Sequence, residues 1–181
     1  IRVLKETGCI RNNSLAEKGR FASKVYGYEL PMAELYEKGM LVNLSPVELG
    51  VVAISLVYEP RKNTKHREPD IRYKTLKNTC LRTAENIHRR EKKYSIYPLS
   101  KNFYFHLSSA LESWMHGESF EKTLTYTDAD EGEVVRYFRM SVQVMRDLLE
   151  APAPETFRSN LRKAITLINR DLIDAERELK V

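Results

Sequence analysis

Ser45-Pro46-Val47-Glu48-Leu49-Gly50-Val51-Val52-Ala53-Ile54-Ser55-Leu56-Val57-Tyr58 is the stretch on which the fold turns. Serine followed three residues later by glutamate is a capping box, and proline at the first helical position loses no hydrogen bond there. The helix these residues open carries Val47, Leu49, Val51, Val52, Ile54 and Leu56 on every side, until Pro60 stops it. A helix apolar all round must be buried among other elements. The remaining segments are the right kind to surround it. Residues 74–94 place Leu76, Cys80, Ala84, Ile87 and Tyr94 on a narrow stripe, which predicts an outer helix with most of its surface wet. Residues 103–116 read as one helix ended by Gly117, and residues 119–126 as a short one. Asp128 or Asp130 caps a long helix carrying Val135, Phe138, Val142, Met145 and Leu149 at spacings of three and four. A last seam, Phe157, Leu161, Ile165, Ile168, Leu172, Ala175 and Leu179, packs against it. No strand pattern is long enough for a sheet. The fold class is all-α, a bundle of about seven helices.

Ahead of the central helix, residues 2–7 read as the end of a helix stopped by Gly8, and residues 10–19 as a loop or hairpin. Residues 20–26 predict a short helix; Pro31 then sits in the first turn of another that Gly39 ends. With 181 residues, 42% of them hydrophobic, the chain can bury one sizeable core. No run approaches the ~18 apolar residues of a membrane span. The first residue is Ile and its neighbours mix charge with apolar side chains, unlike a signal peptide, so the chain is expected to be a piece of a longer, non-secreted protein. Cys9 and Cys80 form no disulfide or metal pattern, which suits a reducing cytosol.

Net charge is +5, but residues 59–93 hold 12 Lys and Arg against 5 Asp and Glu. Such a local excess suits phosphate contact, or equally a solvated charged loop with its helix. No Gly-rich loop followed by Lys-Ser or Lys-Thr is present, so this segment is not expected to bind ATP itself. The four histidines and two cysteines lack ligand spacing. Asp128, Asp130, Glu131 and Glu133 read as first-turn acids favoured by a helix dipole rather than as a metal site. Beyond them Arg136, Arg139, Gln143 and Arg146 recur every three or four residues and share one helix face. Arginine there can pair with phosphate or stack on a base; Arg136 and Arg139 could equally bridge to Glu131 or Glu133. Trp114 offers stacking on a base or a place in the core.

Several segments, in common order, resemble the C-terminal helical domain, often called DSHCT, of superkiller-type DExH-box ATP-dependent helicases. They are Leu15-Ala-Glu-Lys-Gly-Arg-Phe-Ala22, Tyr28-Glu29-Leu30, Glu34-Leu35, Gly39, Leu44-Ser45-Pro46-Val47-Glu48-Leu49 and Leu56-Val57-Tyr58-Glu59. To these add Trp114, Gly117, Phe120, Asp130-Glu131-Gly132, Arg136 and Arg170-Asp171-Leu172-Ile173. The resemblance implies that residues 1–19 are the tail of a winged-helix module and 20–181 the helical bundle. It implies no catalytic site or cofactor in this segment, with ATP and Mg handled by a RecA-like helicase core in the same chain. The partner implied is single-stranded RNA or DNA, most readily RNA during processing or decay, in the cytoplasm or associated with a nucleoid. Strand contacts are implied at Arg136, Arg139, Gln143 and Arg146 and at the exit of the buried helix, Glu59 and Arg61. Glu59 could accept from a base amino group or cap its loop. The sequence departs from the family over residues 62–72 and 74–94, and at Met140, where a second basic residue is common. A protein-docking bundle, a DNA helicase of the same superfamily and a free-standing helix-turn-helix regulator are the alternatives.

Overall fold

The computed structural model describes residues 1–61 and 68–174. Among them the chain forms nine α-helices and one two-stranded hairpin, so the fold is an all-α bundle. Its centre is α4 (Pro46–Val57). Ser45 Oγ accepts from the Glu48 amide at 3.3 Å while the Glu48 carboxylate accepts from the Ser45 amide at 2.9 Å, closing the capping box. Every residue from Leu49 to Val57 is buried. Around α4 pack α6 (Ser108–Met115), α8 (Glu131–Leu149) and α9 (Glu155–Ile168), with α7 (Phe120–Leu124) leaning on α6.

The N-terminal part is built on a different scaffold. Helix α1 (Arg2–Glu6) leads into the hairpin β1 (Ile10–Arg11) and β2 (Ser14–Leu15), then α2 (Glu17–Ala22), α3 (Glu29–Glu37) and, later, α5 (Lys74–Lys93). Val3, Cys9, Leu30 and Ile87 make a small core of their own, with Tyr94 against it. The nearly buried Lys18 ammonium donates to Glu34 at 2.7 Å and Glu37 at 2.5 Å, and Arg90 reaches Glu34 at 3.2 Å, so α2, α3 and α5 share one ionic knot. Breaking one member of such a knot strands a buried charge, which is more costly than the knot is stabilising.

Three boundaries differ from expectation, each for a reason that lies far along the chain. Helix α2 starts at Glu17 rather than residue 20. A Cβ on Gly19 would lie 2.2 Å from the Cys9 carbonyl oxygen, so this glycine admits the hairpin end against the helix. The helix expected over 103–116 begins only at Ser108, after a 3-10 turn over Phe105–Leu107. Tyr104 instead donates its amide to Ser55 O at 2.6 Å, satisfying a carbonyl near the end of α4 that has no helical partner. The final seam was expected to run to Leu179, but α9 stops at Ile168. The Ile168 carbonyl accepts from Trp114 Nε1 at 2.8 Å, and a 3-10 turn over Asp171–Ile173 follows. Ala175 and Leu179 lie outside the described residues, as do residues 62–67 of the basic loop.

The outer helix behaves as its stripe predicts. Leu76, Cys80, Ala84 and Ile87 are buried, joined by Thr83 and Glu91, and the rest of α5 is wet or partly so. Trp114 is core, 1% exposed, edge-on to Phe120 with ring centres 5.9 Å apart. The Arg170 guanidinium lies 3.5 Å from its ring centre and donates to the carbonyls of Trp114 and Glu118 at 2.9 and 2.7 Å. A cation on an indole face contributes ~0.5–2 kcal/mol, so this stack helps hold the C-terminal turn to α6.

Candidate nucleic-acid interface

Tyr58 ends α4 and turns the chain outward in an extended conformation. Its ring meets Tyr137 of α8 edge-on, 4.9 Å between centres, and the Tyr137 hydroxyl donates to the Glu59 carbonyl at 3.3 Å. The exit strand is thereby pinned to the first turns of α8. Arg61 continues along the same contact, reaching Glu133 at 3.0 Å and Asp130 at 3.5 Å, while Lys101 pairs with the Glu59 carboxylate. With Arg61 largely exposed, each such ion pair stabilises by no more than ~1 kcal/mol, and the buried tyrosine pair does more to fix the geometry. Asp130 holds the N-cap position and Glu131 and Glu133 the first turn, where their charge complements the helix dipole.

Arg136 is exposed, its guanidinium carbon over the Tyr137 ring, 4.4 Å from the ring centre. The salt bridge to Glu131 or Glu133 that the sequence allows is not made: Glu133 belongs to Arg61, and among the described residues Arg136 has no ion pair. Arg139 is half-buried and turned toward the C-terminal turn. Its Nε donates to Ile173 O at 3.1 Å and its Nη2 to Leu172 O at 2.7 Å. Gln143 is exposed and donates to Asp147 at 2.8 Å. Arg146 is exposed, with no hydrogen bond or ion pair among the described residues.

The structure thus brings Glu59 and Arg61 onto the N-terminal turns of α8 beside Arg136, a junction between segments some seventy residues apart in sequence. Gln143 and Arg146 continue the same helix face, with Arg146 about 15 Å beyond Arg136 at 1.5 Å rise per residue. Charge is nearly balanced at the junction, where Glu59, Asp130 and Glu133 meet Arg61 and Lys101, and turns positive along the helix. Tyr137 and Lys101 are site residues that sequence reasoning does not select. Tyr137 stands between Arg136 and Phe138 with nothing in its spacing to mark a role, and Lys101 is placed by tertiary packing alone. The arrangement can contact phosphates through arginine and offer a carboxylate to a base edge. Among the described residues no group of three or more His, Cys, Asp and Glu is placed to hold a metal ion. No described helix is long and apolar enough to cross a membrane.

Comparison with known proteins follows the same outline. Residues 12–175 match the model of the DSHCT (NUC185) domain. The chain is 24% identical over 181 residues to the ATP-dependent RNA helicase mtr4 of Schizosaccharomyces pombe, covering 95% of this chain and 16% of that protein. It is 26% identical over 189 residues to the antiviral helicase SKI2 of Saccharomyces cerevisiae, covering 97% and 14%. The DExH-box ATP-dependent RNA helicase DExH9 of Arabidopsis thaliana is 26% identical over 182 residues, covering 96% and 18%. The chain spans less than a fifth of the length of each of these relatives.

Proposed function

The chain belongs to the DSHCT (NUC185) domain family, and on that premise we propose that it closes the strand channel of an ATP-dependent helicase acting on RNA. In this reading ATP and Mg are bound and used by a RecA-like core elsewhere in the same protein. This domain supplies grip on a single strand during RNA processing or decay in the cytoplasm. Two of the relatives described above carry RNA helicase in their names, which favours RNA over DNA. The observation that carries the reading is the junction of the α4 exit with α8, which sets Glu59 and Arg61 beside Arg136 on a helix face that continues to Gln143 and Arg146. Arg136 and Arg146 supply cations without ion-pair partners among the described residues, available to phosphates. Arg139 is engaged by two backbone carbonyls of the C-terminal turn, so the reading rests on Arg136 and Arg146 rather than on it. Helix α1 followed by the β1–β2 hairpin supports a winged-helix tail at the start of the chain, its expected end at residue 19 falling inside α2.

The test is Arg146→Ala, alone and with Arg136→Ala, in the full-length protein. Binding of a single strand of about eight nucleotides, within the usual site sizes of such grooves, is titrated by anisotropy at several salt concentrations. Each phosphate left without its arginine lowers the slope of log K against log salt by ~0.7. Unwinding should fall in parallel, with strand-independent ATP hydrolysis preserved. Unchanged slope and unwinding in the double variant would remove α8 from the strand path.

A further inference from the structure

Helix α5 carries a second basic surface that the strand-facing junction does not use. It packs on α3, whereas α8 packs on α4 and α9. Its outward side presents Lys74, Asn78, Arg82, Glu85, Arg89 and Lys92, all exposed. Arg89 stands 3.6 Å from Glu85, the only acid in that row. The side chains of Lys74, Arg82 and Lys92 have no hydrogen bond or ion pair among the described residues. The other cations of the helix are engaged: Lys77 with Glu68, Arg90 with Glu34 and Lys93 with Glu6. The unengaged ones therefore line up on one side over about 27 Å of helix. Along one flank Glu85, His88, Arg89, Lys92 and Asn102 border an open cavity of about 450 Å³, with Leu81 also in its lining. His88 Nε2 lies 2.7 Å from the Ser100 carbonyl oxygen, which steadies that wall.

A protein partner would be expected to find apolar or aromatic anchors, because a few such side chains carry most protein interfaces. Apolar groups on this face are few: Leu81 midway, and at its start Ile71 with Pro69, beside Lys74 and Asn78. Long cationic side chains at repeated intervals along a helix, with no aromatic ring among them, are instead what phosphate backbones need. A single strand would call for aromatic platforms, which the row lacks, whereas a duplex is gripped by its backbone and shape. We propose that the outer face of α5 is a duplex-binding surface. It contacts the backbone of the double-stranded part of the nucleic acid, separately from single-strand grip on α8.

The experiment uses the full-length protein and the combined Lys74→Gln, Arg82→Gln and Lys92→Gln variant. Probes are a blunt RNA duplex of about 16 base pairs, the span a shape-reading module covers, and the short single strand used above. Duplex affinity should fall about tenfold or more, and the salt slope should drop by ~0.9 for each phosphate no longer neutralised. Affinity for the short strand should stay as in the parent. Glu85→Gln provides the opposite perturbation and should tighten duplex binding, again without effect on the short strand. Parental duplex binding in the triple variant overturns the proposal, as does equal weakening on both probes, which would merge the surface with the strand site. Polyglutamate is the third probe. Loss of polyglutamate binding with retained duplex binding would assign the face to an acidic protein and likewise overturn it. Because α8 is read on the short strand and α5 on the duplex, failure of one assignment leaves the other standing.

Discussion

Ile54→Ala is the sharpest probe of the architecture. Ile54 is 0% exposed in the C-terminal half of α4, the helix against which α6, α8 and α9 all pack. The substitution removes three carbons from a site without water, at ~0.8 kcal/mol of transfer free energy each. A residual cavity adds to this, because three helices fastened to one another by their own contacts cannot all close on the space. Alanine is the better helix former, which returns a few tenths of a kcal/mol. The expected cost is ~2–5 kcal/mol, a large part of the ~5–15 kcal/mol that holds a domain together. For a domain of this size each kcal/mol lowers the melting temperature by ~2–4 °C. Urea unfolding followed by far-UV circular dichroism reads the change in midpoint, with an unchanged m value showing that stability alone has moved. A cost under about 1 kcal/mol would mean that α4 is not packed on all sides, and the bundle would need another centre.

The isolated domain should hydrolyse no ATP, since no phosphate loop is present. A coupled assay on extensively purified material checks this, and turnover that follows the domain through every purification step would refute it. Arg139→Ala should cost ~1–3 kcal/mol in the same unfolding assay, because the Leu172 and Ile173 carbonyls lose their donors, and Arg139→Lys should recover only part of it, a point charge being unable to span both. A change within about 0.5 kcal/mol would make Arg139 an ordinary surface residue. Burial pushes the Cys80 thiol up to about 12, so the folded state holds its proton more tightly than the unfolded chain does. The stability this contributes is complete below the unfolded thiol value of ~8.5 and is lost as pH rises toward the folded one. Unfolding titrations across that range should fall less steeply in Cys80→Ala than in the parent; equal slopes would mean the thiol is not sequestered.

What could be read in advance follows the range of the forces involved. The capping box of α4, its all-round apolar surface and the stripe of α5 are encoded within one or two helical turns, and all three appear as the spacing predicts. Helix ends that depend on a distant donor were not legible. Nothing near residue 104 shows that its amide will be taken by Ser55, or near Ile168 that its carbonyl will accept the Trp114 indole. The shared face of Arg136, Gln143 and Arg146 followed from helical period. The fate of Arg139 did not, because its acceptors lie 33 and 34 residues further on and are backbone atoms, which leave no mark in composition. The junction of Glu59 and Arg61 with α8 was expected only from family resemblance. Its physical cause, a tyrosine pair between α4 and α8, carries no spacing signal.

Trp114 is the single tryptophan of the chain. Its indole N–H rests on the Ile168 carbonyl and its face on the Arg170 guanidinium, so both of its polar neighbours come from the end of α9 and the segment that follows it. Emission excited at the red edge of the absorption band therefore comes from one ring, whose surroundings change when that segment lifts away. The chain thus carries an intrinsic optical gauge of whether that segment stays docked, readable without a label at the side chain that helps hold it.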